Sequence, residues 1–349
     1  MLSSVNILDF CTSGGCAAKM PAGALRQLLA GAFDAEDRVV VGFEKFDDAG
    51  VYRLAPDSLL IATVDIIPPV CSDPYKYGYI AAANALSDVY AMGGRPLFAL
   101  NICCFPDAQA LPVDVTRLIL CGGREALSSA GVALLGGHTI IDHSLKFGVA
   151  VVGSSGTKLL TNANARPGDK LVLTKPLGTG LYISAFRRNG IDAEAFAEAL
   201  VSMMRLNDRA SAIATSFGIT CCTDITGFGL GGHALQMAQA SGVCIEIEAD
   251  ALPRLPLVDA LIGARVTTSN TRATREWAEP FTRHNHNEAQ LELLFDPQTS
   301  GGLLLAVSEP LLSDVVSALR GCGELAVAIV GRVVKRSADG IALSLVTGS

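Results

Sequence analysis

Short apolar runs separated by polar and glycine-rich turns predict alternating strands and helices through the first half of the chain. The predicted strands are DRVVVGFEK and SLLIATVDII, on either side of a turn at FDDAGVY, and then PLFALNICCF, VALLGGHT and KFGVAVVGSSG. PAGALRQLLAGAF and YGYIAAANALSDVYAM have helical spacing, and the second helix is predicted to end at Gly93-Gly94. A further helix is predicted over VTRLILCGGREALSSAG, whose glycines favour a break.

A Pro-Gly turn in NARPGDKLVLTKPLG marks the start of a second unit. Helical segments follow through EAFAEALVSMMRLNDRASAIATSF, then strand-like ITCCTD and VCIEIEA and a final group of strands and a helix. This order predicts a mixed α/β (α+β) fold of two domains, each a mixed sheet covered by helices. We place the domains at residues 21–157 and 158–349, with residues 1–20 as a separate segment that contains glycine, cysteine and lysine.

The composition limits the classes of partner. Half of the 349 residues are apolar and 17% are charged, which leaves apolar surface for a subunit interface. The formal net charge of −7 argues against a partner held through nucleic-acid phosphates. For the same reason, we expect that a bound polyphosphate would need metal ions to bridge it to the protein.

The cysteines and the hydropathy of the sequence indicate the cellular compartment in which we expect the protein. There is no run of about 18 apolar residues and no recognisable signal peptide, so we expect no membrane partner. None of the ten cysteines forms a CxxC pair, which disfavours a structural zinc site and makes a reducing cytoplasm the expected location. The pairs Cys103-Cys104 and Cys221-Cys222 lie in apolar runs and are predicted to be buried free thiols.

Acidic side chains recur beside glycines and predicted strand ends. They are Asp47 and Asp48 in FDDAGVY, Asp65 in LLIATVD, Asp88 in NALSDVYAMGG and Asp224 in CTDITGFG. Asn84 precedes Asp88 by four residues, so both side chains project from one helix face. A single aspartate at such a place is commonly a turn or cap residue. Five of them at glycine-rich junctions favour a Mg²⁺ site, because this ion prefers carboxylate and phosphate oxygens.

One glycine motif supports a competing hypothesis. GFGLGG at 227–232 fits the GxGxxG pattern of a dinucleotide fold, with Glu246 and Glu248 about 20 residues further on, and would make the protein a nicotinamide-dependent oxidoreductase. Against this hypothesis, no clear second βαβ unit accompanies the motif, and Asp224 would repel a pyrophosphate. LLGGHT and DPQTSGGLLLAV are weaker signals, either phosphate-binding backbone or tight turns. His138 and His233, beside glycine pairs, are predicted to be hydrogen-bonded structural residues.

The segment SGGCAAKM at 13–20 carries the remaining candidate chemistry. A thiolate is the reactive form of cysteine, and Lys19, three residues after Cys16, would favour it. A lysine can also hold a transferring phosphate by its charge. Gly14 and Gly15 leave the segment free to move. From the spacing alone, a frayed N-terminus is the simpler explanation.

Seven motifs together resemble one enzyme family. GCAAKM, DDAGVY, ANALSDVYAMGGRP, LLGGHT, LTKPLGTG, TDITGFGLGGH and DPQTSGGLLLAV have the order and spacing found in the selenophosphate synthetases (selenide, water dikinases), over essentially the whole chain. The resemblance implies the architecture of the aminoimidazole ribonucleotide synthetase superfamily and a homodimer whose N-terminal domains jointly form a β-barrel. It also implies that selenide, ATP and water are converted to selenophosphate, AMP and orthophosphate.

The resemblance implies roles for individual residues. The implied catalytic residues are Cys16 and Lys19, and the implied magnesium ligands are Asp48, Asp88 and Asp224. The implied ATP-binding residues are Lys19, Lys45, Phe46, Asp47, Asp65 and Asp88, with Gly136, Gly137 and His138 supplied by the partner subunit. Several Mg²⁺ ions are expected, and K⁺ is a further candidate cation.

One departure from the family pattern narrows the expected mechanism. Many members carry a second cysteine two residues after the first, where this chain has Ala18, so a single-thiol mechanism is predicted. Cys11 could assist Cys16 only if the segment folds back. The alternative within the superfamily is a small-molecule kinase or a ring-forming synthetase, reactions that need neither Cys16 nor Lys19.

Overall fold

The computed structural model describes residues 5–20, 22–29, 36–284 and 287–346. The strands are β1 (Val39–Val41), β2 (Gly50–Ala55), β3 (Ser58–Ile67), β4 (Arg95–Phe105), β5 (Ala133–Ile141), β6 (Lys146–Ser155), β7 (Lys170–Leu173), β8 (Cys221–Asp224), β9 (Cys244–Glu248), β10 (Thr282–Arg283), β11 (Leu303–Val307), β12 (Ala328–Val334) and β13 (Leu343–Val346). The helices are α1 (Ala22–Leu29), α2 (Pro74–Ala91), α3 (Val113–Ser129), α4 (Thr179–Arg187), α5 (Ala193–Met204), α6 (Asp208–Ser216), α7 (Gly229–Ser241), α8 (Val258–Gly263), α9 (Ser269–Ala278), α10 (Glu288–Leu294) and α11 (Leu312–Gly321).

Strands β1 to β6 form one sheet in the order β1-β2-β3-β6-β4-β5. Neighbouring strands are antiparallel except for the parallel pair β4–β5. The predicted strands of the first half all lie in this sheet, but β2 was not predicted. Only Val51 of β2 is buried, so the strand lacks the apolar alternation by which the others are recognised.

Helices α2 and α3 pack together against this sheet, and glycines allow the close approach. A methyl group at Gly78 would overlap the carbonyl oxygen of Ile119, and one at Gly122 would overlap that of Tyr75. The prediction that α3 breaks at its glycines is wrong, because the helix is continuous from Val113 to Ser129. The glycines serve packing between the helices and do not interrupt the helix.

The first sheet exposes apolar side chains. Val64 on β3, Leu100 on β4, and Leu135 and Ile141 on β5 are exposed, the last of them by 79%. β5 is an edge strand and is exposed along most of its length. This surface has the apolar character that the composition predicted for an interface.

The second sheet contains strands β7 to β13 in the order β10-β13-β9-β12-β7-β11-β8. The β10–β13 and β13–β9 pairs are parallel and the other pairs are antiparallel. All five residues of β11 are buried, so this strand lies in the centre of the second core. The short strands β10 and β13 were not predicted. The predicted division at residue 157 falls in the connection between β6 and β7, and the domain limits themselves stay a prediction.

The sheet topology contradicts the dinucleotide-fold hypothesis. ITCCTD and the sequence after GFGLGG do form a strand and a helix, β8 and α7. However, β8 is an edge strand of the second sheet and runs antiparallel to its neighbour β11, with an isolated parallel bridge from Cys221 to Thr161, so it is not the first strand of a parallel βαβ unit. A dinucleotide fold requires that parallel arrangement.

Residues 5–20 pack between the two domains. They contain two short 3₁₀ turns, Ile7–Phe10 and Gly15–Ala18, and both Ile7 and Cys16 are buried. The Gly15 amide donates to the carbonyl of Pro68 at 3.2 Å, with Gly15 itself at a φ of +57°. Its left-handed backbone and its lack of a side chain let the segment pass directly against Thr299.

The ten cysteines are all free, as was predicted for the pairs Cys103-Cys104 and Cys221-Cys222. Cys103, Cys221 and Cys222 are buried, whereas Cys104 is half-buried. Among the described residues, no helix is both long and apolar enough to span a membrane.

Replacing Gly122 with alanine tests the contact between α2 and α3. The added methyl would strike the Tyr75 carbonyl, so we expect Gly122→Ala to lower the free energy of unfolding by about 1–3 kcal/mol. Gly321→Ala, at the end of α11 with open space around it, is the matched control and should change little. Urea unfolding monitored by circular dichroism makes the comparison. Equal midpoints for Gly122→Ala and the wild type would contradict the packing described.

Candidate active site

Cys16 lies at the junction of the N-terminal segment with both domains. Its amide donates to Thr299 Oγ1 at 3.1 Å, and its sulfur donates to Asn84 Oδ1 at 3.3 Å. Burial raises the pKa of the Cys16 thiol to about 12, although the charge of Lys19 acts in the opposite direction. Lys19 favours the thiolate as its spacing predicted, but burial outweighs this effect, and in this conformation Cys16 is a protonated hydrogen-bond donor.

Lys19 pairs with Asp65 in the same network. Its Nζ donates to Asp65 Oδ2 at 2.7 Å, and the Asn84 amide donates to that same carboxylate oxygen. Burial would lower the pKa of Lys19, but the charge of Asp65, to which it is hydrogen-bonded, outweighs burial and raises the pKa. A continuous hydrogen-bonded chain thus runs from Cys16 through Asn84 and Asp65 to Lys19.

Three aspartates, Asp48, Asp88 and Asp224, lie beside this chain. Asp224 is buried at the end of β8, and Asp88 is one turn after Asn84 on the same face of α2, as its spacing predicted. Asp88 Oδ2 accepts from Thr63 Oγ1 at 2.5 Å, and Asp48 Oδ1 accepts from Thr223 Oγ1 at 2.9 Å. Burial raises the pKa of each of the three carboxyls, and repulsion from Asp224 raises those of Asp48 and Asp88 further.

The donor set of these aspartates fits a divalent cation. Within the part of the chain that the structure describes, the buried oxygens Asp48 Oδ2 and Asp224 Oδ2 have no hydrogen-bond partner. In the described ranges, no three His, Cys, Asp or Glu side chains already surround a common metal position. Mg²⁺ commonly takes only one or two carboxylates and completes its shell with water and substrate phosphates, so the unpaired oxygens are suited to an ion that arrives with a substrate.

The 45–48 loop is held by the domain junction. Asp47 Oδ1 accepts from the backbone N–H of Asn162, and the Phe46 carbonyl accepts from the side-chain Nδ2 of Asn162, both at 2.7 Å. Phe46 itself has a φ of +56°. Asp47 and Asp48 border a cavity of about 530 Å³ over β1–β3, and Lys45, just before them, is exposed.

A second cavity, of about 600 Å³, adjoins the N-terminal segment. Lys19, Ile66, Ser144 and Lys146 line it, together with Gly15, Ala17 and Ala18. Among the described residues that line this cavity there is no acidic side chain, although the chain as a whole is acidic. An anionic ligand would therefore meet lysine charges here.

Gly136, Gly137 and His138 are not brought to this site within one chain. They lie exposed on β5, at the opposite edge of the sheet from β1, and two strands separate β5 from β3. A side chain at Gly137 would overlap the backbone of Asn101 on β4, so the strand pairing alone requires this glycine. Whether a partner subunit presents these residues to the site stays a prediction.

His233 is a structural residue, as predicted. Its Nε2 accepts from the Thr226 amide at 3.2 Å, and its ring packs against Phe228. Burial lowers the pKa of His233 to about 3, so the ring is neutral.

The loop DPQTSGG contributes residues to which sequence analysis gave no role. Thr299 accepts from Cys16, and the Ser300 amide donates to Asn84 Oδ1 at 2.7 Å. Gln298 Oε1 accepts from the amides of Gly178 and Thr179 and fixes the loop against LTKPLGTG. The available signal was the run of polar residues between two apolar stretches, which is typical of a buried hydrogen-bonded turn.

Comparison with family models and solved structures defines the class. Residues 46–155 match the AIR synthase related protein N-terminal domain, and residues 166–344 match the corresponding C-terminal domain. Thiamine-monophosphate kinase from Stenotrophomonas maltophilia superposes with a TM-score of 0.64 at 19% identity, covering 92% of this chain and 93% of that one. Escherichia coli HypE, a hydrogenase maturation protein, gives 0.62 at 21%, with 82% and 81% covered. The fold is therefore that of the two-domain AIR synthase related proteins.

Relatives in sequence define the family within that class. A selenide, water dikinase of Nitratidesulfovibrio vulgaris is 42% identical, covering 99% of this chain and 100% of the relative. One of Geobacter metallireducens is 41% identical, with 94% and 96% covered. The chain belongs to the selenide, water dikinase family.

Replacing Asp224 with asparagine tests the repulsion within the aspartate cluster. In EDTA-treated protein, Asp224→Asn removes one buried charge, so we expect the free energy of unfolding to rise by on the order of 1 kcal/mol. Asp114→Asn, on the exposed face of α3, is the control and should have little effect. Urea unfolding in EDTA gives the values. A less stable Asp224→Asn protein under these conditions would contradict the account.

Proposed function

We propose that the protein synthesises selenophosphate from selenide, ATP and water and releases AMP and orthophosphate. The observation that carries the proposal is the hydrogen-bonded chain from Cys16 through Asn84 and Asp65 to Lys19, beside three aspartates. Near-full-length similarity to relatives named selenide, water dikinase supports the same substrates.

We assign Asp48, Asp88 and Asp224 to hold Mg²⁺ ions. The partnerless oxygens of Asp48 and Asp224 support this assignment. Bound Mg²⁺ would neutralise the triphosphate and so let it approach an acidic site. K⁺ remains a further candidate, for which we assign no residue.

Lys19 is proposed to contact the transferring phosphate. Its side chain is 29% exposed and lines the cavity while its ammonium pairs with Asp65, so a phosphate oxygen can share it without a large movement. Its raised pKa keeps it charged throughout the neutral range. A fixed positive charge at this point stabilises negative charge that develops during phosphoryl transfer.

The 45–48 loop and the residues of β3 and α2 are proposed to line the ATP site. Lys45, Phe46, Asp47, Asp65 and Asp88 would do so from one subunit. Gly136, Gly137 and His138 would reach the site from a partner in a homodimer. The exposed apolar surface of β3, β4 and β5 supports such a dimer. The first sheets of the two subunits would then join to form the barrel.

Cys16 is proposed to handle selenium as a single thiol. Because Cys16 is fully buried here, we infer that the N-terminal segment must shift to bring the sulfur to selenide. Cys11 makes separate contacts: Arg187 donates to its sulfur at 3.1 Å and to its carbonyl at 2.6 Å. These contacts give Cys11 a role in fixing the segment to α4 that does not require a dithiol.

Anaerobic ³¹P NMR tests the proposed reaction. With ATP, Mg²⁺ and selenide, we expect selenide-dependent AMP, orthophosphate and a phosphorus signal coupled to selenium. Formation of ADP alone, or AMP formation independent of selenide, would refute selenophosphate synthesis. The first of these outcomes would favour the small-molecule kinase alternative.

The same assay separates the role of Cys16 from that of the other thiols. Cys16→Ser should abolish the selenium-coupled signal while ATP still binds, because the substitution leaves the aspartates and Lys19 in place. Cys121→Ser, on α3, is the matched control and should retain full activity. Undiminished selenophosphate formation by Cys16→Ser would remove Cys16 from the proposed mechanism.

A further inference from the structure

Lys175 is a fully buried lysine to which the proposed reaction gives no role. It follows β7 in the motif LTKPLGTG and has 0% exposure. Its Nζ donates to two backbone carbonyls, that of Arg205 at 2.5 Å and that of Ser300 at 2.8 Å. Within the described ranges, no carboxylate pairs with it directly.

The two carbonyls belong to separate segments that Lys175 joins. Arg205 caps the C-terminus of α5, and Ser300 lies in the DPQTSGG loop. Ser300 has a φ of +50°, a left-handed conformation that a residue with a side chain adopts only when its surroundings hold it. The carbonyl of Gly301, the next residue, accepts from Asn207 Nδ2 at 2.8 Å. The loop is thus fixed through consecutive carbonyls.

The opposite side of this loop contacts the site. The Ser300 backbone amide donates to Asn84 Oδ1, the same oxygen that accepts a hydrogen bond from the Cys16 thiol. The Thr299 hydroxyl accepts a hydrogen bond from the Cys16 backbone amide. A shift of the loop at Ser300 would therefore disturb both of the hydrogen bonds that Cys16 donates.

We propose that Lys175 is a positioning residue that fixes the 299–301 loop and, through Thr299 and the Ser300 amide, holds Cys16 in place. The proposal deepens the proposed function, since it rests on Cys16 being the thiol that handles selenium. Lys175 touches neither substrate nor Cys16 itself.

The chemistry of a buried amine explains why lysine suits this position. Burial lowers the pKa of Lys175 to about 7, so near neutral pH much of it is the uncharged amine. An uncharged amine has two N–H donors, and two carbonyls receive them. An apolar side chain of the same length would fill the space but leave both carbonyls without a donor, which is costly in a buried site.

Lys175→Met tests the proposal, with Lys170→Met on β7 as the control. Lys170 is only partly buried and forms a surface ion pair with Glu309 at 3.7 Å. The main readout is the rate at which iodoacetamide labels Cys16, followed by peptide mass spectrometry on folded protein without ATP or selenide. We expect Lys175→Met to label Cys16 at least about fivefold faster, a change that loss of its hydrogen bonds would produce. Lys170→Met should label as the wild type does.

Turnover gives the second readout. We expect the Lys175→Met kcat for selenide-dependent AMP formation to fall by at least about tenfold while the KM for ATP changes by less than about twofold. Lys175→Gln, which keeps an NH₂ donor on a shorter side chain, should recover part of both properties. It also replaces Lys175→Met if that protein does not fold.

Thr299→Val tests the link between the loop and Cys16 independently. It removes the acceptor of the Cys16 amide and keeps the side-chain shape, so it should also accelerate labelling. Combined with Lys175→Met, it should add much less than its separate effect, because both changes act through one loop. Wild-type labelling in either single variant, or full additivity in the double variant, would overturn the proposal. Labelling requires no catalysis, so failure of the selenium reaction would not be mistaken for failure of this link.

Discussion

The arrangement of the site depends on the hydrogen bonds of the buried Asn84 side-chain amide. Its Oδ1 accepts the Cys16 thiol and the Ser300 amide, and its Nδ2 donates to Asp65, which in turn holds Lys19. One side chain on α2 thereby joins the N-terminal segment, the first sheet and a loop of the second domain. Because a buried amide with a missing partner is costly, these three parts stabilise one another in a single arrangement.

Charge explains why this arrangement is suited to a phosphate substrate. Asp224 repels both Asp48 and Asp88 beside the Asn84 contact, and two oxygens of the three aspartates have no hydrogen-bond partner among the described residues. The described residues that line the adjoining cavity of about 600 Å³ include Lys19 and Lys146 and no acidic side chain, although each lysine pairs with an aspartate. The site therefore offers carboxylates to cations and ammonium groups to an anion, and a metal–polyphosphate complex satisfies both. The proposed reaction would use both kinds of charge, whereas in the free protein the buried carboxylates repel one another without a cation between them.

Local pattern was sufficient to predict much of the fold and part of the site. Most elements with clear apolar spacing, such as β3 and α2, form as predicted, and the spacing of Asn84 and Asp88 places both on one helix face. The mostly exposed strand β2 and the continuity of α3 were missed, because one has little alternation and the other depends on a contact with α2. The polar run marked the Thr299 loop as a turn, but its contact with Cys16 spans 283 residues and has no local signal, and Lys175 has no local signal for its role. Spacing gave the effect of Lys19 on the Cys16 thiol but not the burial that outweighs it.

Burial and the Asn84 contact hold Cys16 as a protonated thiol in the free protein. The pH dependence of Cys16 labelling by iodoacetamide in the ligand-free wild type, measured for that peptide alone, tests this state of the thiol. Labelling should stay slow up to high pH, in line with a thiol pKa of about 12. A labelling midpoint at or below about 8.5, the value of an ordinary exposed thiol, would show that Cys16 is not held in this way.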